Sequence, residues 1–414
     1  MTRAGPALKF LLAARQSELQ GLEQLAHTCA LVTLVSELIH ALQKERGYSN
    51  LRLCLRRDAL ARPLATLSEL AQAREQNVRV FLDTMAGGGG RKARLLDRIA
   101  YALYQLDDLP DLRWRVREQR IGAQEASAGF TRLIANLLAV VFEAADTALD
   151  PDIAALLVAL LNFIQGKELA GQERAFGVTG YTAGHFDAAA KAHMAELAAG
   201  QQRSFGTCAR YAPAEIEAEW QAARTHDAPV ERLRQMAQQT DPAQPTDPGL
   251  AELWFDLCTT RIDAMQPITA RLTTLLAARC RQRIAETQET MRDHRLLLER
   301  FGQPPADGLP AMLFSVQGRA LDQPPADGLG EELERSLLDM LQRQTEKMQR
   351  ADEALALARA ALDEQKDVQR AKRWLMQSQR LSESEAHARL QRLAMESGLP
   401  LIAVARRLVR EGQG

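Results

Sequence analysis

Leu31, Leu34, Val35, Leu38, Ile39 and Leu42 return at intervals of three and four residues. That repeat commits about residues 7 to 55 to one or two long amphipathic helices, whose apolar stripe needs partners of similar length. The chain supplies them. Helical patterns are expected over about 62–86, 91–107, 111–145 with a break near Gly122, 152–175, 183–200, 213–224, 229–239 and 249–302. Gly87–Gly90 and the Pro- and Asp-rich Asp241–Pro248 read as turns and loops. Aromatic residues make up only 5% of a sequence that is 46% hydrophobic, so helix formers outweigh strand formers. The expected class is all-α, with up-and-down bundles in residues 1–302.

Five cysteines are scattered and never spaced as C-x-x-C, and the seven histidines form no ligand pair. Reduced thiols in a cytoplasmic protein, with no metal and no cofactor, are the expectation. No nucleophile–base arrangement or phosphate loop appears, so an enzyme is disfavoured. The N-terminus is a poor signal peptide. The most apolar stretches, Leu133–Phe142 and Ile153–Ile164, are shorter than a bilayer requires and are read as core helices rather than membrane spans.

Residues 303–330 carry QPPADGL twice and read as a Pro/Gly-rich linker. Residues 331–365 read as a connector helix, in which Leu341, Met348, Leu355 and Leu362 lie seven apart with Leu337, Gln344, Ala351 and Ala358 between them. That spacing suits a homodimer through 337–362 or packing within one chain. Residues 366–414 divide at Ser382 and at Ser397-Gly398-Leu399-Pro400 into a small three-helix unit. From Lys366 to Arg410 ten Lys/Arg face four Asp/Glu, on a chain whose net charge is −1. A basic terminal unit on an acidic body suits a polyanion.

In the body, Arg46 lies in QKERGYSN, where Gly47 is expected to loosen or end its helix. Arg174 is bracketed by Gly171 and Gly177, and Arg261 lies in the largely apolar WFDLCTTRIDAM. An arginine facing a bundle interior is costly unless paired, and several converging would form a pocket for a small planar oxyanion. Glu45, Glu173 and Asp263 lie close in sequence, so on the residues alone ordinary salt bridges are the favoured explanation of each arginine taken individually.

Two resemblances bear on these residues. E-R-G-x-S at Glu45, K-E-x-x-G-Q-E-R-A at Lys167 and W-x-x-x-x-T-x-R-I-D at Trp254 resemble the NIT domain, a helical nitrate- and nitrite-sensing module. The likeness spans roughly residues 30–300. It implies a nitrate or nitrite ligand on Arg46, Arg174 and Arg261. A-K-x-x-L-M at Ala371, S-x-x-E-A at Ser382, L-x-x-x-A-M at Leu390 and V-A-R-R-L-V at Val404 resemble the ANTAR module, which binds paired RNA hairpins and prevents transcription termination. Arg373-Trp374 departs from that family's usual glycine after A-K.

Candidate RNA contacts are Lys372, Arg373, Arg389, Arg392, Arg406 and Arg407, because clustered cations suit a looped RNA. Together the resemblances imply a nitrate-responsive antiterminator acting on leader mRNA hairpins. The rival readings are a DNA-binding regulator using its last two helices, and a scaffold that binds a protein partner and no anion.

Overall fold

The computed structural model describes residues 4–85, 93–148, 150–241, 245–302, 315–316, 319–320, 350, 355–356, 364, 366–379, 381, 383–397 and 399–411. The described elements of the body are α-helices, with two 3-10 turns and short connections between them: α1 (Ala4–Leu55), α2 (Ala61–Met85), α3 (Ala93–Leu106), α4 (Leu109–Arg117), α5 (Ala123–Thr147), α6 (Pro151–Ala183), α7 (Ala188–Tyr211), α8 (Ala214–Ala223), α9 (Asp227–Gln239) and α10 (Leu250–Gly302). The C-terminal unit follows as α11 (366–379), α12 (Glu383–Ser397) and α13 (Leu401–Glu411). Within the linker, two-residue strands Ser315–Val316 and Arg319–Ala320 pair antiparallel. Of the connector heptad only Leu355 lies among the described residues; it is buried in the core of the body.

Helix α6 is the centre, with 22 of its 33 residues buried. Its start is fixed locally. Asp150 accepts hydrogen bonds from the Asp152 and Ile153 amides at 3.1 Å each, and Pro151 stands where no amide is needed. Its end is fixed by Gly184, whose φ of 81° is left-handed. Helices α1, α5, α7 and α10 pack on it, and Leu38, Ile134, Leu157, Leu160 and Leu272 share one core cluster.

The sequence expectation ended this helix near residue 175, whereas it continues to Ala183. A glycine inside a helix costs about 1 kcal/mol relative to alanine. Here each one receives a side chain from elsewhere: a Cβ at Gly166 would fall 2.6 Å from the Phe205 ring, at Gly177 2.2 Å from the Trp254 indole and at Gly180 2.1 Å from the Phe186 ring. Close packing offsets the local propensity.

The Trp254 indole N–H also donates to the Arg174 carbonyl at 3.0 Å. Trp254→Phe is therefore expected to destabilise the body by about 1–2 kcal/mol, from one lost buried hydrogen bond and some lost volume. Urea unfolding followed by circular dichroism measures it.

The length expectation for the apolar stretches is also corrected. By length and composition α1, α5 and α6 carry segments able to cross a membrane. In the fold, 83% of the α6 window is buried against neighbouring helices, and the same helix buries Lys167, Glu168, Glu173 and Arg174.

Candidate functional site

Helices α1 and α6 meet through a reciprocal pair. Arg46 on α1 extends over Gly171 of α6, where an added Cβ would lie 2.5 Å from its Nη2. Arg174 on α6 extends back over Gly47 of α1, where an added Cβ would lie 2.2 Å from its Nη2. Each helix thus contributes an arginine and the gap that receives its partner's arginine. Gly47 was expected to loosen or end its helix, but α1 runs through it to Leu55. What matters at Gly47 is the missing side chain, not a broken backbone.

Both guanidinium groups are buried, at 0% and 1% exposure, yet they are satisfied differently. Arg46 donates to Glu168 through Nη1 at 2.5 Å and Nη2 at 3.2 Å, and to Thr131 Oγ1 at 2.9 Å. Arg174 donates only to neutral acceptors, Thr259 Oγ1 at 2.9 Å and the Gln43 carbonyl at 2.8 Å, and lies 5.0 Å from the Phe255 ring centroid. Among the described residues no carboxylate pairs with it. Burial, and then the neighbouring Arg46, pull its pKa down to about 10. On both arginines the buried Nε–H has no acceptor among the described residues.

The ordinary salt-bridge reading holds for Arg46, through Glu168, and for Arg261, through Asp227, and fails for Arg174, while the carboxylates closest in sequence pair elsewhere. Residues next to one another on a helix point about 100° apart. Glu45 accepts from Arg113 at 2.8 and 2.9 Å, Glu173 from Arg234 at 2.5 and 2.7 Å, and Asp263 pairs with Lys44 at 3.0 Å. Arg261 belongs to the second of these networks. Its Nε donates to Asp227 at 2.6 Å and its Nη1 to Gln201 at 2.7 Å. Arg46 and Arg174 come together, and Arg261 is held by its own acid and amide.

In the C-terminal unit Ala371, Leu375, Ala386, Leu390, Val404 and Ala405 form the buried core, with Trp374 packed against it. The cations lie outside it. Arg406, Arg407 and Arg410 with Ala403 line an open depression of about 530 Å³ on α13, and the Arg406 Nε also donates to Asp367 at 2.9 Å. Arg373 and Arg392 are exposed, Lys372 and Arg389 half-buried, on the other two helices. Arg410 was missed as a candidate. Its spacing of three and four residues from Arg407 and Arg406 was the available signal.

Comparison with known proteins places both halves of the chain in families. Residues 37–277 match the family described as nitrate and nitrite sensing, NIT. The chain belongs to the NIT family. Residues 356–409 match the ANTAR domain. The chain is 31% identical over 397 residues to the nitrate regulatory protein of Klebsiella oxytoca, covering 96% of this chain and 93% of that one. It is also similar to the solved structure of the NasR transcription antiterminator, with a TM-score of 0.62 and 29% identity over 97% of this chain and 98% of the other.

The ANTAR unit rests on the NIT bundle. Arg203 of α7 donates through Nη2 to His387 Nε2 of α12 at 3.2 Å, and Glu196 of α7 lies 3.9 Å from the same nitrogen. Lys366 Nζ sits 5.3 Å from the centroid of the Phe142 ring on α5. Helix α7, which makes the contacts to His387, packs along α6, which carries Arg174.

Proposed function

We infer that this chain is a nitrate- or nitrite-responsive transcription antitermination regulator in which the anion binds between Arg46 and Arg174. The observation that carries the anion site is Arg174 itself: a fully buried cation with no carboxylate partner among the described residues, beside a second guanidinium, each with an orphaned Nε–H. A small planar monoanion supplies the missing charge and the missing acceptors at once. Arg261, whose Nε and Nη1 are already engaged, adds positive potential from the adjoining network.

Only a difference in anion affinity between two packings can drive a response. In the packing seen here α12 is held on α7. We assign this as the silent state, and anion binding favours a rearranged α1–α6 contact that loosens α7 and frees the ANTAR unit. The freed unit binds leader mRNA hairpins and keeps the terminator from forming. The protein works in the cytoplasm, and domain limits at about 302, 330 and 365 suit this division of labour. The dimer through 337–362 stays a proposal that sedimentation with and without nitrate addresses. Termination in vitro on a nitrate-operon leader tests the whole scheme: readthrough rises with nitrate or nitrite and stays flat with chloride or sulfate. Readthrough indifferent to nitrate defeats it.

The α13 depression gives the RNA prediction. Arg407→Ala with Arg410→Ala is expected to weaken hairpin binding about 10- to 100-fold and to flatten its salt dependence, since each phosphate contact releases a counterion. Filter binding at several salt concentrations reads it. Tighter binding to duplex DNA than to hairpin RNA favours the DNA-reader alternative instead.

A further inference from the structure

Arg174 is not the only buried cation of α6 without an acid of its own. Lys167 stands seven residues before it, on the same face two turns away, with Gly171 between them. It is 2% exposed, and its Nζ donates to the neutral amide oxygen of Gln266 on α10. Among the described residues it forms no ion pair. The nearest acids are committed elsewhere, Glu168 to Arg46 and Asp263 to Lys44.

Other elements around Lys167 add little negative charge. From α1 come His40 and Lys44, from α10 Asp263, from its own helix Glu168, while α5 offers the Thr131 hydroxyl near Arg46 and α7 the Phe205 ring beside Gly166. His40, whose Nδ1 is buried without a hydrogen-bond partner, is held neutral by burial and then by Lys167, Lys44 and Arg174.

Two permanent cations on one buried helix face, neither in an ion pair among the described residues, would be costly, and a guanidinium cannot shed its proton at neutral pH whereas an amine can. We propose that the anion enters this site together with a proton, which is taken up by Lys167. The inference rests on the Arg46–Arg174 reading of the site. While the site is empty, Arg174 keeps its charge and Lys167 gives its own up. When a monoanion arrives two turns away, the negative charge favours the ammonium form, and the proton comes from solvent.

Burial, opposed by Asp263, brings Lys167 down to about 7. The sign of the pH effect follows. A bound anion raises that value, so affinity is greatest below about pH 7. It falls by up to about tenfold per pH unit above it, until the anion-bound lysine also deprotonates.

The experiment is calorimetry of nitrate with the full chain from about pH 6 to about pH 8.5, in a sulfonate buffer and in Tris, whose ionisation enthalpies differ. The expected result is a heat that depends on the buffer, corresponding to uptake of up to one proton, and an affinity that weakens with rising pH. Lys167→Met mimics the neutral amine, and it is expected to bind nitrate with no buffer dependence and a flat pH profile. The comparison of buffers on the parent chain stands even where the variant fails to fold. Nitrate binding with equal heats in both buffers overturns the proposal and leaves the anion site intact. Proton uptake that survives in Lys167→Met and vanishes in His40→Gln also overturns it, placing the proton on the imidazole. No nitrate binding at any pH removes both the proton coupling and the site beneath it.

Discussion

Arg174→Met is expected to abolish the nitrate response while leaving the unliganded protein as stable as the parent or more stable. Truncating one partner of a buried charge pair commonly costs about 2–5 kcal/mol of binding, so affinity should drop by roughly 1.5 to 3.5 orders of magnitude. The native state bears a different cost. Burial and Arg46 disfavour the Arg174 charge, and this penalty is present wherever the group is ionised, that is at all pH below about 10. Methionine keeps much of the volume against Phe255 and removes the charge. Arg46→Met should behave in the opposite way in the free protein. It strips Glu168 of its partner and is expected to destabilise the fold by about 3 kcal/mol, because the orphaned carboxylate stays buried. Thermal melts with and without nitrate separate the two. Arg174→Met should melt at or above the parent temperature and ignore nitrate; a melt well below the parent would assign Arg174 to structure rather than to ligand binding.

Gly47→Ala is the second large effect, and it changes no charge. The new methyl would start 2.2 Å from Nη2 and 2.5 Å from Cζ of Arg174, and one of the two must move. Arg174 is the longer and more flexible side chain, so it is the guanidinium that gives way. Alanine also suits a continuous helix better than glycine by about 1 kcal/mol, which offsets part of the overpacking. The expected outcome is a folded protein whose nitrate affinity falls about 30-fold or more, with readthrough at saturating nitrate recovering only at correspondingly higher concentrations. Gly171→Ala should act in the same direction through Arg46, and it should also cost stability because the Arg46–Glu168 pair is strained. Parent-like affinity in Gly47→Ala would show that the guanidinium position is not what the anion reads.

These two expectations depend on features that differ in how far they can be read from the chain. The helices were legible because their signals are local: the leucine spacing of α1, and Ser397 to Pro400 between α12 and α13. The small ANTAR core was legible for the same reason, and Ala371, Leu375, Ala386, Leu390, Val404 and Ala405 all turned inward as their spacing required. Arg46 and Arg174 could be picked out by the motifs around them.

Their circumstances could not. Glu45 stands beside Arg46 in sequence and faces Arg113 in space, whereas the acid that holds Arg46 is 122 residues away. Gly47 looked like a point of weakness, and it and Gly171 each proved to be the seat of the other helix's arginine. Local spacing fixes which residues share a face of one helix. The rotation and offset at which two helices meet are set by the whole core at once, and those decide which cations find an acid. Sequence alone therefore determined that this chain is helical, where its basic unit lies and which arginines to watch; only the tertiary packing decided that Arg174 and Lys167 are buried with no ion-pair partner among the described residues.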